Sequence, residues 1–196
     1  MPFSLRRLTG QITLIFFLAG ASGLGLAANS EMPGIGDKAP KWSMKSTDGD
    51  KVKFPGKKPA LVMFWASWCS YCKGLMSNLS DLQSEVGDSV EFIAINFASD
   101  GSELPPFALQ LPFTHLIDGD DIAARYGVTR VPALFIVEDG KVTYQLDYPP
   151  PNHPSQTTKN TSEQIKLLVP WWVDRIRENL LSLTDVKFRH TAELIR

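Results

Sequence analysis

The chain has little of what most often announces a function. Its 196 residues hold two cysteines, Cys69 and Cys72, and three histidines, His115, His153 and His190. Two cysteines cannot form the disulfide framework that staples small secreted domains, and a chain of this length does not need one. A net charge of -1 leaves no basic excess for nucleic acid and no acidic tail. No internal repeat is visible. With 43% hydrophobic and 21% charged residues, the composition is that of one compact globular domain.

Charge is also missing from Ile12 to Ala28, an apolar run that ends in small residues and follows "MPFSLRRLTGQ", which has two arginines and no acid. That order predicts a secretory signal over residues 1–28, cleaved after Ala27 or Ala28. The alternative is an uncleaved N-terminal anchor, for which 17 apolar residues are short. Either way the remainder lies outside the cytoplasm, with a periplasmic location expected and membrane contact only if residues 12–28 are retained. Arg6-Arg7 alone does not make a twin-arginine signal, and no cysteine follows the apolar run to carry a lipoprotein anchor.

What is present alternates. "ALVMFWA" (60–66) and "VEFIAIN" (90–96) are continuous apolar runs of strand length, so both read as buried strands. Between them, from Tyr71 to Val86, Leu75, Leu79, Leu82 and Val86 recur at spacings of four, three and four, one apolar face of a helix. A short helical piece in "FASDGSELPPFALQLP", a strand in "FTHLID" and a helix in "DDIAARYG" follow. "ALFIVEDGKVTYQLD" reads as a hairpin turning at Asp139-Gly140. The order implies an α/β fold, a mixed sheet that starts with a βαβ unit. Residues 147–162, dense in Pro, Asn, Ser and Thr, read as an exposed spacer. Residues 162–196 read as a helical extension in which Pro170 either kinks one helix or opens a second.

Both cysteines therefore fall at the turn from the first buried strand into the first long helix. Unpaired backbone N–H groups and the positive end of the helix dipole favour an anion there, and a thiolate is one. Cys72, three residues on, shares the face of Cys69, close enough for a disulfide and more buried. This makes Cys69 the attacking thiol and Cys72 the resolving one. A zinc site needs four ligands, and the histidines are scattered. A static disulfide closing so short a loop restrains little. A copper site would add a histidine and usually space its cysteines more widely.

The stretches "GDKAPKWSMKSTDGDKVKFPGKKPALVMFWASWCSYCK" and "LIDGDDIAARYGVTRVPALFIVEDGKV" resemble exported thioredoxin-fold thiol-disulfide oxidoreductases of the TlpA and CcmG type, over Gly36 to Asp147. The resemblance implies a thioredoxin-like domain over 34–147, with an opening β-hairpin, a mixed central sheet flanked by helices, a loop over 148–161 and the C-terminal helical extension. It implies a cis peptide at Val131-Pro132 facing the cysteines, with the Val131 backbone free to pair with a client peptide and the proline keeping metal off the thiolates. Trp68 would form an apolar contact surface at the site, and Trp65 would belong to the core.

The sequence departs from that family at the two positions where a buried carboxylate usually serves the second cysteine, which here are Met63 and Leu75. Cys72 is then expected to lose its proton to water or to another group, and resolution to be slow. The dipeptide between the cysteines is Ser70-Tyr71, not a proline-containing pair. The resemblance implies thiol-disulfide exchange with exported protein substrates, most naturally as a reductase fed by a membrane-bound thiol-reducing donor, on apocytochrome c or a similar client, with no metal, cofactor or nucleic acid. With no dimerisation domain expected before the fold, a standard isomerase is disfavoured. The alternative is a thioredoxin-fold binding, chaperone or copper-handling module with little redox turnover.

Overall fold

The computed structural model describes residues 31–99 and 104–194; the expected signal over 1–28 lies outside them. A hairpin of β1 (Trp42–Lys45) and β2 (Lys51–Phe54) precedes β3 (Ala60–Trp65), helix α1 (Ser70–Val86) and β4 (Glu91–Asn96). Then come a short α2 (Pro106–Leu109), β5 (Thr114–Leu116), α3 (Asp120–Arg125), β6 (Ala133–Glu138), β7 (Lys141–Gln145) and a long α4 (Thr161–Leu194). The main sheet runs β5-β4-β3-β6-β7, with β3, β4 and β5 parallel and β6 and β7 antiparallel to their neighbours. This is the expected mixed sheet.

Its centre follows from β3, whose six residues are all buried. Successive side chains of a strand point to opposite faces. Leu61, Met63 and Trp65 accordingly join the cluster under α1 and α4, while Ala60, Val62 and Phe64 join the one under α3 and the opening hairpin. Helix α1 buries Cys72, Leu75, Met76, Leu79, Leu82 and Val86, the stripe its periodicity predicts, and stops at Gly87 with φ 58°. The β6–β7 turn has positive φ at both Asp139 and Gly140, the backbone that Asp-Gly favours in a two-residue hairpin.

The C-terminal third agrees with one of its two sequence readings at Pro170 and departs from the reading of the loop before it. Helix α4 runs through Pro170 as one helix, and no second helix opens there. Its Leu168, Val169, Trp172, Val173, Ile176 and Leu180 are buried in the cluster that also holds both cysteines. The segment read as an exposed spacer is partly packed: Pro149 and Ser155 are buried, a 3-10 turn spans Pro154–Gln156, and His153 lies 5.5 Å from the ring of Trp171. Composition marked it as a loop, but the aromatic surface of α4 gives that loop something to pack on.

Close approach of α4 to α1 depends on Gly74. A β-carbon there would stand 3.0 Å from Ile165 Cγ2 and 3.4 Å from Val169 Cγ2. Arg177 of α4 also makes two 3.0 Å hydrogen bonds to the Glu85 carboxylate of α1.

Candidate active site

The chain leaves β3 at Trp65, turns through Ala66 to Trp68, and enters α1. The Cys69 N–H donates to Ala66 O at 3.0 Å, which closes the turn. Cys69 is the N-cap of α1, with extended φ and ψ of -82° and 102°, and its Sγ accepts the Cys72 N–H at 3.1 Å. A capping group normally supplies oxygen at this position; here sulfur does it. No acidic residue occupies the first turn of α1, so the helix itself places no like charge beside an anion at Cys69.

Cys69 and Cys72 are joined as a disulfide, with Cα atoms 5.3 Å apart. Cys69 is 5% exposed and Cys72 wholly buried, so Cys69 is the more accessible of the two. Around the inner sulfur the packing is apolar. Met63 and Leu75 are both buried in the same cluster, and among the described residues no carboxylate is buried at all. Nor do the described residues bring three His, Cys, Asp or Glu side chains together in a way that would hold a metal.

The remaining residues singled out in the sequence sit as follows. Trp68 is 63% exposed, and its indole N–H donates to Ala98 O at 2.8 Å, which ties a projecting aromatic to the loop after β4. Ala98 holds a positive φ of 51°, a costly conformation for a residue with a β-carbon. Trp65 is fully buried, edge-on to Phe107. The Val131-Pro132 peptide is cis, as is Phe54-Pro55, which the sequence did not single out. Pairing of Phe64 with Ala133 places Pro132 at the end of the sheet where β3 turns toward Cys69. Val131 packs against the cluster that contains both cysteines, and its backbone forms no hydrogen bond among the described residues.

Sequence reasoning missed the residues that α4 and its preceding loop bring to this end. Tyr71, between the cysteines, hydrogen-bonds Gln164 of α4 through its hydroxyl, and its ring meets Trp172 edge-on at 6.4 Å. Tyr71, Val131, Pro132, Leu168 and Trp172 line a groove of about 300 Å³. The hint in the sequence was the run of prolines from Pro149 to Pro154 and the paired Trp171-Trp172.

The fold recurs in a solved structure from Chlorobium tepidum assigned as a thiol:disulfide interchange protein DsbE, with a TM-score of 0.53, 26% identity, and coverage of 70% of this chain and 98% of that one. Sheet order, helix placement and the capped C-x-x-C pair together define a thioredoxin-fold thiol-disulfide oxidoreductase. Within that class the chain belongs to the AhpC/TSA family, whose model matches residues 35–145. It is 32% identical over 163 residues to the thioredoxin-like protein YneN of Bacillus subtilis, covering 77% of this chain and 92% of that protein. It is 31% identical over 108 residues to the thiol:disulfide interchange protein HelX of Rhodobacter capsulatus, of which it spans 55%.

Proposed function

We propose that this protein reduces disulfides in exported protein clients, with Cys69 as nucleophile and Cys72 as resolving thiol. The observation that carries the assignment of the two thiols is the Cys69 sulfur at the α1 N-cap, accepting the Cys72 N–H at 3.1 Å, because a thiolate in that place gains both the hydrogen bond and the helix dipole. The reductive direction rests on the resemblance to exported thiol-disulfide oxidoreductases of the TlpA and CcmG type. In the dithiol form, the Cys69 thiolate attacks one client sulfur, forms the Cys69–client disulfide and expels the other client sulfur as a thiolate. Cys72 loses its proton, attacks Cys69 Sγ, forms the intramolecular disulfide and releases the second client thiolate. Two electrons pass to the client, and an external dithiol donor returns the pair to the reduced state.

Exposed Trp68 and the unpaired Val131 backbone support a client bound in extended form beside the disulfide. Export rests on the N-terminal sequence, and a thiol-reducing donor in the membrane is the matching electron source. Among the described residues no helix is long and apolar enough to cross a membrane. The test is to replace Cys72 by Ser and, separately, Cys69 by Ser, then add a protein disulfide substrate. The Cys72→Ser protein should accumulate a mixed disulfide through Cys69, and the Cys69→Ser protein none. Trapping through Cys72 alone reverses the assignment. Equilibration of the wild type with glutathione then fixes direction: a client reductase should remain reduced only in strongly reducing buffer, since 30 mV corresponds to about a tenfold change in equilibrium.

A further inference from the structure

The groove beside the disulfide is built jointly by the redox motif and by the C-terminal extension. Val131 and Pro132 form one wall, Tyr71 lies between the two cysteines, and Leu168 and Trp172 of α4 with Tyr148, Ser155 and Gln156 of the preceding loop supply the rest. These walls are held in place. Tyr71 is tied to Gln164, whose amide donates to Thr158 O at 2.7 Å, and the Trp172 indole N–H donates to Asp147 O at 2.9 Å. Gly74 lets α4 approach closely enough for this contact.

Resting on the exchange reaction proposed above, we infer that this groove is a specificity pocket for the client chain, taking one large uncharged side chain, aromatic or aliphatic, from a residue next to the client cysteine. Two features decide the occupant. Val131 lines the pocket and its backbone forms no hydrogen bond among the described residues, so an extended peptide paired there would carry a neighbouring side chain into the pocket. Its lining contains tyrosine, amide, hydroxyl and apolar groups but no carboxylate, ammonium or guanidinium, so a charged side chain would lose water there without gaining a partner. A volume of about 300 Å³ is at the lower limit of small-molecule sites, suited to one side chain of a peptide.

The experiment uses the full reduced protein and peptides carrying one cysteine in mixed disulfide with glutathione, with Phe, Leu, Gly, Lys or Glu placed before or after that cysteine. Second-order exchange rates are measured for each peptide and for oxidised glutathione. Phe and Leu peptides should react about tenfold faster than the Gly, Lys and Glu peptides. Gln156 stands exposed at the rim, so Gln156→Trp fills the groove without disturbing the core. In that variant the peptide preference, each rate taken relative to that with oxidised glutathione, should fall to within twofold. A flat peptide series, or a preference that survives Gln156→Trp, with glutathione still reacting, overturns the pocket alone. Loss of exchange with every probe, glutathione included, overturns the redox reading and the pocket with it.

Discussion

Cys69 and Cys72 differ in which atoms surround them. One sulfur caps a helix and accepts a backbone N–H; the other is wholly buried in the apolar cluster that also holds Met63 and Leu75. An apolar enclosure disfavours the charged thiolate, and among the described residues no buried carboxylate stands by to take the proton. Resolution by Cys72 is therefore expected to limit turnover and to quicken as pH rises from 7 to 9. A Leu75→Glu variant should speed decay of a Cys69 mixed disulfide at least about tenfold at pH 7, at a stability cost of about 3 kcal/mol for the buried polar group. Stopped-flow decay and urea unfolding check the two parts. Equal decay rates would mean that another group already takes the proton. His115 gives a second residue-scale expectation. Burial pushes its imidazole below the ordinary 6.5, against smaller opposing effects from Leu111 O, Asp48 and Ala108 O. The neutral ring is thus favoured in the fold, while the unfolded chain takes up a proton as pH falls through about 6.5. The stability this group contributes is full above that pH and is lost as pH falls from there toward the depressed folded value. Urea midpoints between pH 7.5 and 5.5 should fall more steeply for wild type than for His115→Gln.

Helix α1 and the hairpin at Asp139-Gly140 were legible in the sequence because their signals are local, an apolar stripe and a turn dipeptide. The cysteine pair was legible for the same reason: a strand, a turn and a helix within about thirty residues place both sulfurs. Burial of Ser155 and the contact of Tyr71 with Gln164 were not, since each depends on partners that only the folded chain brings near. Gly74 is an instructive case: within a helix it is a weak former, costing about 1 kcal/mol relative to alanine, and only the approach of Ile165 and Val169 explains it. Gly74→Val should lower stability by about 2 kcal/mol through overpacking at this contact. It should also raise proteolytic cleavage in 148–160, because the loop packs on α4. Urea midpoints and limited proteolysis read both effects. Unchanged cleavage would show that α4 stays seated despite the added methyl groups.

Across the whole molecule, direction of exchange and stability are one quantity. The disulfide closes a four-residue loop, worth at most about 2 kcal/mol in unfolded-chain entropy, and capping of a Cys69 thiolate favours the reduced form in opposition. A reductase requires the oxidised form to be the more stable of the two. Urea unfolding should therefore place the oxidised midpoint above the reduced one, and the reverse order would make the protein an oxidant. The seating of α4 has a further consequence for the order of events as the chain is made. The face of the sheet that carries both cysteines is roofed in part by side chains as distant as Ile176 and Leu180, about a hundred residues after the pair. Contacts of such separation form late. A chain emerging N-terminus first would complete its C-x-x-C turn long before that roof exists, so the pair stays open to stray thiols and disulfides until nearly the last helix has arrived.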